Sequence, residues 1–259
     1  MEFGHYYLQI DPNTHTLSHM EQIEYPIRIN RYLALKQYAS RREADRLISD
    51  RHVRINGRIA VLGDVVQKGD SVTVSANMKR INSQRVYLAY YKPAGIVTHS
   101  PERGQRAIAD VLEYREKLFP IGRLDKDSRG LIMLTNDGRI TDKLLNPDKE
   151  HEKEYVVRVD KPIHADFIKK MHEGVRIDDD YVTRKCDIQK TGTRVFRIIL
   201  TEGKKHQIRR MCAAFGYEVT DIFRIRIMNI GLGNLHPGAY RELKGKELDT
   251  FLQSIGIKR

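Results

Sequence analysis

The stretch from Phe119 to Asn136, FPIGRLDKDSRGLIMLTN, sets charged side chains between two apolar runs, which narrows how the chain can fold there. Arg123, Asp125, Lys126, Asp127, Ser128 and Arg129 fall within seven residues. The apolar flanks seek a core and the charges seek water, so the segment is expected to be a loop clamped at both ends by buried anchors. A backbone fixed in this way suits functional side chains. Gly122 and Gly130 bracket the charges and admit backbone angles that other residues resist. The Arg-x-Asp spacing also places a cation close to Asp125. Composition alone equally allows a solvated surface turn.

The chain has 259 residues, enough for one large domain and a small one, each with its own core. Its 46 Lys and Arg against 34 Asp and Glu leave a formal net charge of +12. That balance favours polyanionic partners, meaning nucleic acid or an acidic membrane surface. No apolar run is long enough to span a bilayer, and the first residues, MEFGHYYLQIDPNT, lack a basic segment followed by an apolar one. A cytoplasmic protein without membrane association is expected. Cys186 and Cys212 stand far apart, and the ten histidines are scattered, so neither a disulfide framework nor a metal site is suggested. Without a dinucleotide fingerprint or P-loop, no cofactor is expected.

Residues 1 to 25 are polar and weakly periodic, and read as an extension that is loosely ordered or docks on the body. From Ile27 a short amphipathic helix is expected, holding Ile29, Leu33 and Lys36 with Tyr32 and Tyr38. Ser40-Arg41-Arg42-Glu43 has the form of a capping box opening a second helix with Ala44, Leu47 and Ile48 inward. Asn56-Gly57 then marks a tight hairpin turn, and Ser71 to Val74 a last strand. Between residues 27 and 80 there are twelve Lys or Arg against five Asp or Glu, a net +7 out of the chain's +12. The alternatives for this basic cluster are an RNA-binding surface and a merely solvated face. The expected division is an extension over 1–25, a basic module over 26–77, a linker over 78–85 and a larger domain over 86–259.

The larger domain opens with a strand at Tyr87 to Tyr91 and a turn at Lys92-Pro93-Ala94-Gly95 leading into Ile96 to Thr98. Helices are expected over Ala107–Lys117, Gly138–Asn146 and His164–His172, a strand over Tyr155–Val159, and a strand pair from YVTRKCDIQK and TRVFRIILT. Tyr155 by spacing alone is the first core aromatic of its strand. In EGKKHQIRRMCAAFGYEV, Ile208, Met211, Cys212 and Phe215 recur as one helical face, ended by Gly216. Lys204, Lys205, His206, Arg209 and Arg210 crowd its first turns, where cations oppose the helix dipole. An RNA phosphate or a carboxylate from another loop would relieve that placement.

These motifs carry a resemblance. GRLDKDSRGL resembles the signature loop of the RNA pseudouridine synthases, in particular the RsuA/RluB/RluE/RluF branch, nearest the RluF-type synthases of large-subunit (23S) ribosomal RNA. SRREADRLI and VRINGR resemble an S4 RNA-binding domain, and Lys153-Glu154-Tyr155 and Ile208-Arg209 match two further synthase motifs. The resemblance implies an α+β fold: an S4-like helix pair plus sheet, then a catalytic domain on a largely antiparallel sheet with flanking helices. It implies that Asp125 is the nucleophile, that Tyr155 packs on the target base with Ile208 behind it, and that Arg209 pairs with Asp125. Arg123 is expected to hold the flipped arrangement, with Lys126 and Arg210 as further substrate contacts. Arg28, Arg31, Arg41, Arg42, Arg46 and Arg54 are expected to lie on RNA backbone. Lys205-His206-Gln207 departs from the residues common before that glutamine. Ribosomal RNA is the expected substrate, transfer RNA the alternative, and a monomer the expected state. The competing classes are a non-catalytic RNA-binding or assembly protein, and a hydrolase using Asp125 with Asp127, which two carboxylates on one loop serve poorly.

Overall fold

The computed structural model describes residues 7–9, 24–36, 38–39, 41–75, 85–145 and 149–257. Ser40, most of the 1–25 extension and most of the expected linker lie outside them. The chain divides into two compact units, residues 1–85 with 137–139, and residues 86–136 with 140–259.

In the first unit, β1 (Tyr7–Gln9) and β2 (Ile27–Arg28) precede α1 (Ile29–Leu35) and α2 (Arg41–Ser49). There follow β3 (Val53–Ile55), β4 (Arg58–Ile59), β5 (Val65–Val66) and β6 (Val72–Ser75). A four-stranded sheet runs β1-β6-β3-β4. Part of the N-terminal extension therefore docks, Tyr7–Gln9 adding an antiparallel edge strand to β6. Asn56 and Gly57, at φ of 50° and 80°, turn the β3–β4 hairpin as the Asn-Gly pair requires. Ala44, Leu47 and Ile48 face inward from α2 onto Ile29, Tyr32 and Leu33 of α1 and Val53, Val72 and Val74 of the sheet. Asn30 Nδ2 donates to Asp45 Oδ1 at 2.8 Å, joining the two helices.

The second unit contains β7 (Tyr87–Lys92), α3 (Ile108–Val111), β8 (Phe119–Ile121), β9 (Arg129–Thr135), α4 (Arg139–Leu145), β10 (Lys153–Val159) and α5 (Ala165–Glu173). It continues through β11 (Arg176–Asp178), β12 (Tyr181–Val182), β13 (Asp187–Gly192), β14 (Val195–Leu200) and α6 (Gln207–Ala213). β15 (Val219–Ile227), β16 (Ile230–Gly231), β17 (Tyr240–Glu242) and α7 (Gly245–Ser254) close it. The central nine-stranded sheet runs β13-β14-β10-β15-β9-β7-β17, with β16 on β15 and β8 on β9. All its pairings are antiparallel except β9–β15, which is parallel. The fold is thus α+β with a mostly antiparallel sheet.

β7 and β9 are buried on both faces. Tyr87, Ala89, Leu131 and Met133 pack against α4 and α7, and Leu88, Tyr90, Ile132 and Leu134 pack on the opposite side with Ile108. The other half of the sheet covers α5 and α6 through Val157, Phe196, Phe167, Met171, Ile208 and Met211. Two expected elements differ. The helix over Ala107–Lys117 is only the four residues of α3, because Leu112 is already extended and Tyr114 is drawn away by a hydrogen bond to Glu242 and an edge contact with Tyr240. Tyr181–Val182 leaves the expected strand pair and joins β11. After the turn at Lys92–Gly95, Val97 makes a single bridge to Ala107. Among the described residues, no helix is long and apolar enough to cross a membrane.

Candidate active site

The loop between β8 and β9 is fixed residue by residue. Leu124 is buried in the same cluster as Tyr155 and Ile208. Thr98 Oγ1 donates to Leu124 O at 2.7 Å and accepts from Leu124 N–H at 3.0 Å, so one buried hydroxyl satisfies both backbone groups. Two positions on, Lys126 O accepts from Gly95 N at 2.8 Å and from Lys92 Nζ at 3.3 Å. Lys92 is fully buried and also donates to Pro93 O at 2.8 Å and Ile96 O at 2.7 Å. Burial pulls its ammonium down to about 8, against the opposing pull of Asp125 and Asp127. Asp125 therefore sits between two anchored residues, with its own carbonyl accepting from Ser128 N at 3.1 Å.

The far end of the loop is held by the parallel β9–β15 contact. Arg129 forms a bidentate pair with Asp221 at 3.0 and 2.7 Å, donates to Tyr91 Oη at 2.6 Å, and stacks over Phe223 at 4.1 Å. Gly130, at φ 111°, lies against β15 so closely that a Cβ there would meet Arg224 O at 2.2 Å. Gly122, at φ 78°, makes the turn at the opposite end.

The Asp125 side chain remains about two-fifths exposed. Its neighbour is His206, whose Nε2 stands 3.6 Å from Asp125 Oδ1, so a carboxylate from another loop does reach the crowded start of α6. Arg209 does not make the expected pair. Its guanidinium donates to Val219 O at 3.0 Å, because the first turn of α6 directs it toward the start of β15. Arg210 is likewise engaged, with Asp178 at 2.6 Å. Arg123 and Lys126 are exposed, and among the described residues no side chain pairs with the Arg123 guanidinium. Tyr155 is buried beside Ile208 and Leu124.

Arg224, which the sequence reading passed over, lies beside Tyr155. It pairs in register with Tyr155, holds its guanidinium carbon 6.0 Å from that ring, and is 3% exposed. Its Nε donates to Leu131 O at 2.7 Å and one Nη to Arg123 O at 3.3 Å, while the other Nη is buried with no partner among the described residues. The signal was an arginine at an inward position of the alternating run VTDIFRIRI. Lys92 was visible only as part of a turn. Among the described residues, no group of three or more His, Cys, Asp or Glu could hold a metal ion.

In the first unit, Arg28, Arg31, Arg41, Arg42 and Arg46 are exposed on and beside the helix pair, and no ion pair to them occurs among the described residues. Arg54 instead donates to Gly57 O at 2.7 Å within the hairpin.

Residues 86–214 match the RNA pseudouridylate synthase family, and residues 27–72 match the S4 domain. The chain is 46% identical over 230 residues to the dual-specificity RNA pseudouridine synthase RluF of Salmonella typhi, covering 88% of this chain and 79% of that one. The chain belongs to the RNA pseudouridine synthase family. It is an isomerase that takes RNA as substrate. Another family member, ribosomal large subunit pseudouridine synthase B of Bacillus subtilis, is 32% identical over 229 residues, covering 85% of this chain and 93% of that one. A solved pseudouridylate synthase superposes with a TM-score of 0.63 at 25% identity, covering 88% of this chain and 99% of that one.

Proposed function

We propose that this pseudouridine synthase modifies a uridine of large-subunit (23S) ribosomal RNA, with Asp125 as nucleophile. The observation that carries the nucleophile assignment is the fixing of the Asp125 backbone from both sides while its carboxylate stays partly open to solvent. Such a carboxylate is positioned before substrate arrives and needs little reorganisation. The target uridine swings out of its stack, at a cost of about a few kcal/mol that is least in a looped RNA. Arg123, exposed and without a side-chain partner among the described residues, occupies the vacated space. Asp125 attacks carbon 1′ of the ribose, forming a carboxylate–sugar bond as the N-glycosidic bond breaks; the uracil rotates, carbon 5 bonds to carbon 1′ and releases the Asp125 carboxylate, and carbon 5 loses its proton while N1 gains one. The reaction is a redox-neutral isomerisation and calls for no redox agent.

Tyr155 stacks on the base with Ile208 behind it. Arg209 exchanges Val219 O for the Asp125 carboxylate when RNA closes the site, and Lys126 and Arg210 meet RNA near the loop. An opposite charge there would favour the ionised carboxylate against desolvation. The S4 arginines contact RNA backbone by charge and shape. The protein works as a cytoplasmic monomer, without membrane association. Transfer RNA is a second substrate to test, since the similar Salmonella typhi enzyme is named for dual specificity.

The test is release of tritium from carbon 5 of uridine in ribosomal and transfer RNA transcripts, with gel analysis of the RNA. Release from intact ribosomal RNA is the expected result. Cleaved product would indicate hydrolysis, and release from transfer RNA alone would move the substrate assignment.

A further inference from the structure

His206 occupies a backbone conformation that few non-glycine residues adopt, with φ 52° and ψ 30°, immediately before α6. It is held there by a buried clamp. Gln207 Nε2 donates to Glu202 Oε1 at 2.6 Å, Lys204 N donates to Gln207 Oε1 at 2.9 Å, and Gln207 N donates to Lys204 O at 3.1 Å. Glu202, 5% exposed, is itself fixed by the Tyr181 hydroxyl and by Arg184 N at 3.1 Å. Each link closes the turn over residues 204–207 and aims the imidazole at Asp125. Unusual backbone conformations that the surroundings over-determine gather at functional sites.

Of the side chains able to carry positive charge, His206 is the one recorded within 4 Å of the Asp125 carboxylate among the described residues. Lys92 has committed its ammonium to three carbonyls, and Arg209 to Val219 O. We propose that His206 is a positioning residue for Asp125: its imidazolium draws Oδ1 and leaves Oδ2 toward the sugar, so the geometry of the nucleophile depends on the charge of a histidine. This inference rests on the assignment of Asp125 as nucleophile.

The groups bearing on that charge come from three places. On the loop, the charged groups are Asp125, which His206 approaches, and Arg123, Lys126 and Asp127 beside it. From the end of β7, Lys92 is coupled electrostatically to both aspartates. In the histidine's own stretch, Lys204 lies over Tyr181 at 4.2 Å and Arg210 is paired with Asp178, leaving Lys205 and Arg209 as the cationic neighbours. The imidazole attracts the carboxylate only when it is protonated, so the contact is an ion pair at lower pH and not at higher pH. Both partners are roughly half exposed, which limits the effect to that of a surface pair, about a twofold to fivefold change in rate.

The test is single-turnover tritium release from a 23S ribosomal RNA transcript labelled at carbon 5 of uridine, at saturating full-length protein, from about pH 5.5 to 8. His206→Arg supplies a permanent cation and His206→Asn a neutral residue that tolerates the same backbone angles. The wild-type rate divided by that of His206→Arg should be near one at the acid end and fall about twofold to fivefold by the alkaline end. The wild-type rate divided by that of His206→Asn should fall toward one over the same range. Taking ratios cancels ionisations shared by all three proteins, and a merely structural role would leave both ratios flat. Flat ratios, ratios that rise with pH, or an inactive but folded His206→Arg would overturn the proposal. Tritium release by none of the proteins at any pH would instead overturn the substrate and nucleophile reading beneath it.

Discussion

Replacing Thr98 by Val tests whether the loop carrying Asp125 depends on one hydroxyl. Val keeps the shape of the side chain and removes its oxygen, leaving both Leu124 N–H and Leu124 C=O without the partner found at 3.0 and 2.7 Å. Thr98 is 5% exposed and Leu124 7%, so water cannot readily replace either bond. An unsatisfied buried polar group costs about 1–3 kcal/mol, hence roughly 2–6 kcal/mol for the two. That is a large part of the 5–15 kcal/mol or so by which folded domains are stable. Thr98→Ser is the control, since it keeps the oxygen and loses one methyl, about 1 kcal/mol. Urea unfolding of the full chain should rank Ser well above Val. Tritium release should be at least about tenfold slower for Val, because misplacement of a reacting group by 1 Å costs about a hundredfold. RNA affinity should be unchanged, as the exposed arginines of the S4 unit are untouched. If Val matches Ser in stability within about 0.5 kcal/mol and in rate, the hydroxyl is not what fixes the loop.

Three further outcomes are expected. Gly130→Ala forces a Cβ to within 2.2 Å of Arg224 O at φ 111°, so it should cost about 3 kcal/mol or more in a urea titration; a neutral result would mean that β9 and β15 part easily. Lys92, with its ammonium lowered to about 8, binds fewer protons when folded than unfolded between about pH 8 and 10.5. The stability of the wild type relative to Lys92→Met should therefore rise from pH 8 to 9.5, and a flat difference in urea midpoints would contradict the burial cost. Arg41→Ala with Arg42→Ala should weaken RNA binding and lower its salt slope by about 2, with the rate at saturating RNA unchanged; an unaltered slope in filter binding would place the contacts elsewhere.

Much of the fold is readable where local chemistry decides it. The inward face of α2 at Ala44, Leu47 and Ile48 follows from helical spacing, and the Asn56-Gly57 turn from the positive φ that both residues adopt. Gly122 and Gly130 were chosen for conformational freedom, and Gly130 proves to be required by close packing as well. What escapes is decided by distant partners. β15 is a nine-residue strand, but Asp221, Arg224 and Arg226 interrupt its apolar pattern because Arg129, the Leu131 and Arg123 carbonyls, and Glu154 supply their partners. None of those pairings is local in sequence. The same holds for Arg209, whose turn on α6 points it at Val219 O, and for His206, whose partner Asp125 lies on another loop. Residue types on the loop could be read, but which cation faces which carboxylate could not.

The central claim is that Asp125 performs the chemistry. Its most direct test is tritium release from carbon 5 of uridine in 23S ribosomal RNA, comparing wild type with Asp125→Asn, with RNA affinity measured on the same preparations. The carboxylate is partly exposed and forms no buried pair, so the amide should fold and bind RNA as the wild type does. Asp125→Asn that binds RNA normally and releases no tritium is the predicted result. Release by Asp125→Asn at the wild-type rate would contradict the account.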